Sequence, residues 1–393
     1  MDAGTVLGYA DCLPIHRLDT MQHSQRLQRL LGFLEKDPTN PNLRFDTAQM
    51  AFSEQDYSLC RALLVAEDAP RPPAPAMTHL LGQTLLAIGE LQQATALFHI
   101  LLAGGQADVA VRHDLAYALA CQQQYQDALA ALPADLVGNS ANAQQLRLRL
   151  LHRTGQLETA LAEGEQWLAE QTLTAEGAGA LALLCLDMDR GNDAARFATL
   201  AGNNDDAMVA RGWLNLEQGE LEQATPAFEA ARHMTPRHGR AWLGAGLVSL
   251  ASKRYAEAAQ QLDRAADLLP RHAGSWVAAG WAHLLGGNLP TALNRLGQAL
   301  DIDRNFPEAH GSMAVCLLQD GQRERAEHHA RAGKRLGPTS LSVLLAESLL
   351  LQADGDRARA EEIIAQALDQ RTAPGGPTVL QAVARYSARA DKH

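Results

Sequence analysis

The sequence predicts an all-α fold: a solenoid of about ten helical hairpins, closed at its ends by capping helices. Three observations predict it. First, small residues recur every 34 positions, at Ala224, Ala258, Ala292, Ala326 and Ala360. Second, each interval reads as helix, turn, helix. In Ala241 to Leu250 apolar residues recur at helical spacing, a turn follows, and the next apolar stretch stops before Pro270. Third, aromatics make up only 5% of the 393 residues, so the core must be built mainly from Ala and Leu. That suits close-packed helices better than a sheet sandwich, which favours β-branched and aromatic residues. An array of stacked repeats has no central core, so length does not convert into a count of globular domains.

Taken in order, residues 1–40 form an arm and a capping helix, the helix carried by Met21, Leu27, Leu30, Leu31 and Leu34 at helical spacing. Hairpins are expected to begin near Pro41, Pro75, Val109, Ala141, Glu176, Asp205, Gly239, Ala273, Pro307 and Leu341. Gly212, Gly246, Gly280, Ala314 and Ser348 mark a second small slot, 12 residues before the alanines, and Ala231, Ala265, Ala299, Gly333 and Ala367 a third. Helices approach closely only where such residues face one another, and Trp242, Leu262 and Phe228 fill the space beside them. Cys60, Ala94 and Ala128 continue the register towards the N-terminus. The interval from Ala195 to Ala224 is only 29 residues, and the turn Gly202-Asn203-Asn204-Asp205-Asp206 accounts for it by truncating a second helix. This divides the repeats into an array at 41–204 and another at 205–372, joined by a tighter loop or a hinge. Pro374-Gly375-Gly376-Pro377 ends the repeats, and 373–393 form a tail whose Val379 to Tyr386 could make a short capping helix.

The pattern resembles the tetratricopeptide repeat family, whose 34-residue hairpins carry W-x2-L-G-x2-Y, then A-x3-F, then a closing proline. Trp276-Val277-Ala278-Ala279-Gly280 and Ala224-x3-Phe228 match it, and Pro236, Pro270 and Pro338 close their units. The resemblance implies a right-handed superhelix whose first helices line a concave groove, with positions 2, 5, 9, 12 and 13 facing ligand. Position 5 is then Val209, Leu243, Val277, Gly311 and Leu345, and position 9 is Trp213, Leu247, Trp281, Val315 and Leu349. An apolar stripe where solvent is expected marks a binding surface, unless curvature buries it between neighbours. Trp242 and Trp276 sit at the consensus core position instead. In the N-terminal repeats position 9 is mostly polar (Gln49, Gln83, Tyr117, Arg149, Leu184), and His79 and His113 are equivalent to one another. His79, His113, Tyr117 and Arg149 therefore form a second, polar candidate surface. The clamp by which some relatives hold a terminal carboxylate needs Lys at position 5 and Asn at position 9, and no repeat here has that pair.

No catalytic signature is present: no phosphate-binding glycine loop, no H-E-x-x-H and no nucleophile elbow. No cofactor or metal is expected, because His328 and His329 are adjacent on a helix and point apart onto a solvated face. The net charge of −11 argues against nucleic acid. No apolar run is long enough for a membrane span, and the start lacks a signal-peptide pattern. Five cysteines without regular spacing make no disulfide framework, which suggests structural thiols in a reducing, cytoplasmic setting. Only four of the 34 basic residues are lysine, a composition common in GC-rich bacteria. The expected function is a non-catalytic scaffold or adaptor holding a protein or peptide, with self-association as a further arrangement. The alternatives are a secretion chaperone for an apolar export substrate and a regulatory subunit of an enzyme complex.

Overall fold

The computed structural model describes residues 23–65, 74–106 and 108–370. Among these residues there are helices and no strands. A capping helix, α1 (Gln25–Leu34), precedes the repeats. The N-terminal hairpins are α2 (Pro41–Ser53) with α3 (Tyr57–Val65), and α4 (Pro75–Ala87) with α5 (Leu91–Ala103). Next come α6 (Val109–Cys121) with α7 (Tyr125–Ala131), a short α8 (Ala134–Val137), and α9 (Ala141–Arg153) with α10 (Leu157–Ala169). They continue as α11 (Ala175–Asp187) with α12 (Gly191–Leu200), α13 (Asp205–Glu217) with α14 (Leu221–Met234), and α15 (Gly239–Ala251) with α16 (Tyr255–Leu268). The last three are α17 (Ala273–Leu285) with α18 (Leu289–Ile302), α19 (Pro307–Gln319) with α20 (Arg323–Leu336), and α21 (Leu341–Ala353) with α22 (Arg357–Asp369). Nine of the ten expected starts are met to the residue, and the other, Glu176, lies one residue inside α11. The C-terminal tail falls outside the described residues.

Local chemistry sets these boundaries. Asn40, Asp108, Asn204 and Asp356 each accept a hydrogen bond from a backbone N–H of the helix they precede. Proline opens α2, α4 and α19, where its missing N–H costs nothing. Within every hairpin the turn contains one residue at positive φ. Six are glycines, at 89, 155, 219, 287, 321 and 355, and four are Gln55, Gln123, Asp189 and Lys253. Every first helix has 13 residues, whereas the second helices vary, and α12 has only 10, as the short interval requires. The break between α7 and α8 was not expected; Pro133 causes it by stopping the helix at Leu132.

The chain divides into two compact units, with the boundary between Gly177 and Ala178 inside α11. The N-terminal unit has a core that includes Leu27, Ala48, Cys60, Leu63, Met77 and Leu80. Gly82 lies against the Phe98 ring, so that a Cβ there would stand 2.5 Å from it. The C-terminal unit repeats this device: Gly212 faces Phe228, Gly246 faces Leu262 and Gly280 faces Leu296. Trp276 is buried as expected, but Trp242 is not: it is half-buried, donates to the Pro236 carbonyl at 2.9 Å, and lies under the Arg232 guanidinium at 4.6 Å. The cysteines also need correction. Cys60, Cys185 and Cys316 are buried free thiols, and burial pushes the Cys316 thiol up to about 12. Cys121, however, is disulfide-bonded.

Candidate functional site

In the C-terminal unit the first helices α13, α15, α17, α19 and α21 carry the predicted stripe. Position 5 is mostly core: Val209, Leu243 and Val277 are buried, as is Val315 at position 9. Trp213, Leu247, Trp281 and Leu349 are half-buried, with their inner faces on the core. The two tryptophans differ in a way that sequence position does not reveal. The Trp281 indole N–H donates to Ser312 Oγ at 2.8 Å. Trp213 packs edge-on to Phe228 at 6.0 Å, and its buried indole nitrogen has no acceptor. The slot that holds Ser312 in α19 holds Gly244 in α15, which offers no hydroxyl.

The stripe opens into a pocket between α17, α19 and α21. Val277 and Trp281 of α17, Glu308 and Ser312 of α19, and Leu341, Ser342 and Leu345 of α21 line an open cleft of about 350 Å³. Gly311 makes it possible. A Cβ there would stand 2.4 Å from the backbone of Ser342 and Val343, so α19 and α21 meet at a glycine. Their contact swings Leu341 and Leu345 into the pocket wall. Ser342 holds the joint by donating to the Glu308 carbonyl at 3.1 Å. Of the predicted residues, Val277 and Trp281 line the cleft. Leu345, at position 5 of the last repeat, is their counterpart, and Glu308 and Ser312 emerge only from the fold.

In the N-terminal unit the polar candidates meet at a residue the sequence reading did not name. Asp114 accepts from Gln83 Nε2 at 2.8 Å and pairs with His79 at 2.8 Å and His113 at 3.0 Å. Burial alone would raise its carboxyl, but the hydrogen bonds from His113, His79 and Gln83 prevail and bring it down to about 2. His113 also stacks on Tyr117, with ring centroids 6.4 Å apart. Both carboxylate oxygens are engaged by the chain itself, so this cluster ties α4 to α6. Arg149 lies on α9, half-buried.

Two further polar groups in the C-terminal unit were illegible in the sequence. Arg240 of α15 makes a two-pronged pair with Asp187 of α11, both bonds 2.9 Å, and both side chains are largely buried. Second, His329 is not on a solvated face: it is half-buried, with its Nδ1 3.0 Å from Nδ1 of His310 on α19. Burial, with His310, His328 and Arg325 beside it, pushes its imidazole down to about 4. Between the ordinary value of 6.5 and about 4 the unfolded chain therefore binds the extra proton, so this contribution is complete above pH 6.5 and declines with acid. Allowing for its exposure, the loss is of order 1 kcal/mol, or about 2–4 °C in melting temperature. Thermal melts at pH 7 and 4.5 check this: the acid-induced drop should shrink in His329→Gln. An equal drop in both proteins would refute the assignment.

A family model described as tetratricopeptide repeat matches residues 209–275, the segment running from α13 into α17. Several solved structures are similar over part of the chain. A structure characterising PilF of Pseudomonas aeruginosa is 21% identical, covers 56% of this chain and 97% of its own, and has a TM-score of 0.41. Residues 41 to the end of MamA from Desulfovibrio magneticus RS-1 are 19% identical, covering 42% of this chain and 96% of theirs at a TM-score of 0.36. YrrB, a tetratricopeptide protein with an unusual peptide-binding site, is 20% identical, covering 44% and 90% at 0.34. None of the curated proteins compared matches the chain.

Proposed function

This chain is a tetratricopeptide repeat protein, and from that premise we propose that it is a non-catalytic scaffold. It holds a protein or peptide partner against the first helices of its C-terminal unit. One observation carries this reading. Half of the position 5 and position 9 stripe is buried by packing, and at Val277, Trp281 and Leu345 it lines a cleft. A cleft lined by apolar side chains with a few polar groups at its edges is the usual form of a recognition site. The remaining stripe residues, Val209, Trp213, Leu243, Leu247, Val315 and Leu349, set the spacing of the helices behind it. His79 and His113 join repeats through Asp114, and we place no ligand on them or on Tyr117.

Affinity purification from the source cell with mass spectrometry tests the proposal. Full-length protein should retain a partner that a Leu345→Ala, Trp281→Ala double variant loses at least tenfold, with helicity unchanged. Full retention by the folded double variant would exclude this cleft. The apolar walls also favour a second reading, a bacterial chaperone that keeps an export substrate soluble. In that case the retained protein would be a secreted one. No helix among the described residues is long and apolar enough to cross a membrane. A cytoplasmic setting belongs to the proposal.

A further inference from the structure

The cleft between α17, α19 and α21 carries more than an apolar wall, and its polar groups restrict the guest. Glu308 stands in the first turn of α19, where the helix dipole favours its negative charge. It is half-exposed and lines the cleft, and among the described residues its carboxylate has no ion pair or hydrogen bond. The carboxylate of Glu347 on α21, by contrast, is answered by Lys334 at 2.7 Å. Also lining the cleft, Ser312 Oγ accepts from Trp281, yet among the described residues its own hydroxyl proton has no acceptor. The site thus combines a hole for an aliphatic side chain, one free hydroxyl donor and one uncompensated negative charge.

We propose that the cleft recognises an extended peptide in which a bulky aliphatic residue is directly flanked by Lys or Arg. The aliphatic side chain enters between Val277, Trp281 and Leu345. A peptide carbonyl takes the Ser312 proton, and the basic side chain reaches Glu308. Charge complementarity decides the flank: a guest with an acidic neighbour would bring like charges together, whereas a basic one neutralises a carboxylate the fold has left unanswered. The volume of about 350 Å³ admits one large side chain and part of its backbone, not a folded domain or a whole helix. This inference rests on the groove reading above and adds the chemistry of its occupant.

The test uses full-length protein and three fluorescein-labelled nonapeptides that differ only at their centre: Leu next to Arg, Leu next to Glu, and Ser next to Arg. Fluorescence polarisation should rank the Leu–Arg peptide at least tenfold tighter than either of the others at low salt, with the advantage over Leu–Glu shrinking as salt rises. Glu308→Gln, which gives up only the modest helix-dipole contribution and should stay folded, should abolish the Arg-over-Glu preference. Glu308→Arg should reverse it. Ser312→Ala should weaken all Leu peptides alike. Equal binding of Leu–Arg and Leu–Glu peptides, or a preference that survives Glu308→Gln, overturns the charge assignment. If Leu345→Ala still weakens the Leu peptides in that case, the groove reading survives and only this inference falls. If no peptide binds and a captured partner is indifferent to Leu345, both fall together.

Discussion

Truncating Phe228 to alanine should lower the stability of the C-terminal unit by about 3–5 kcal/mol, at the upper end for a buried aromatic. The ring is fully buried. It lies between two glycines, and a Cβ on Gly212 would stand 2.7 Å from it and one on Gly244 2.2 Å. Neither neighbour has a side chain that could move in, so the cavity persists, while Trp213 loses its edge-on contact at 6.0 Å. Gly244→Ala in the intact protein should cost about 1–3 kcal/mol by overpacking. In the Phe228→Ala background the same methyl enters vacated space, so the two costs should not add. Denaturant titrations of the two single variants and the double variant measure the coupling. Strict additivity would show that the glycines do not owe their place to the ring.

A comparable loss, about 3–5 kcal/mol, is expected for Arg240→Ala, because it removes the two-pronged partner of the Asp187 carboxylate in a largely buried position. The pair joins α11 to α15 over 53 residues of chain, spanning the hairpin α13–α14 that follows the shortened α12. Replacing both partners, as Asp187→Leu with Arg240→Met, should recover most of the loss, since an apolar pair of similar volume needs no solvation. Chemical denaturation of the three variants decides. If the double variant is no better than Arg240→Ala, the pair is not what compensates Asp187.

How much of this could be read from the sequence follows from what repeats and what does not. Helix starts, turns and the small slots recur with the backbone, so Pro41, Gly239 and Leu341 were legible as openings of hairpins. The facing of Gly212, Gly246 and Gly280 by Phe228, Leu262 and Leu296 follows the same register. Side-chain pairing between hairpins does not repeat. Glu217 holds the position equivalent to Asp187, but the position equivalent to Arg240 in its register is Gly274, so nothing announces the pair, and Asp114 gathers His79 and His113 from neighbouring hairpins without any recurring signal. The stripe shows the limit most clearly. Trp213 and Trp281 occupy one repeat position, yet a single change on the next helix, Gly244 against Ser312, gives one indole a partner and leaves the other without. The open cleft was likewise hidden, since it depends on Gly311 letting α21 close on α19.

The constancy of the first helices has a consequence for how such a chain can vary. All ten have 13 residues, about 20 Å of helix each, while their partners range from 7 to 14. The first helices are thus a ruler and the second helices its slack. A residue inserted into a first helix would rotate everything beyond it by about 100° and turn its buried face outward. The same insertion near the end of a second helix is absorbed before the next ruler begins, as the short α12 demonstrates in reverse. Length polymorphism among descendants of this chain should therefore gather at the ends of second helices, or arrive as whole hairpins, and spare the intervals that open each repeat.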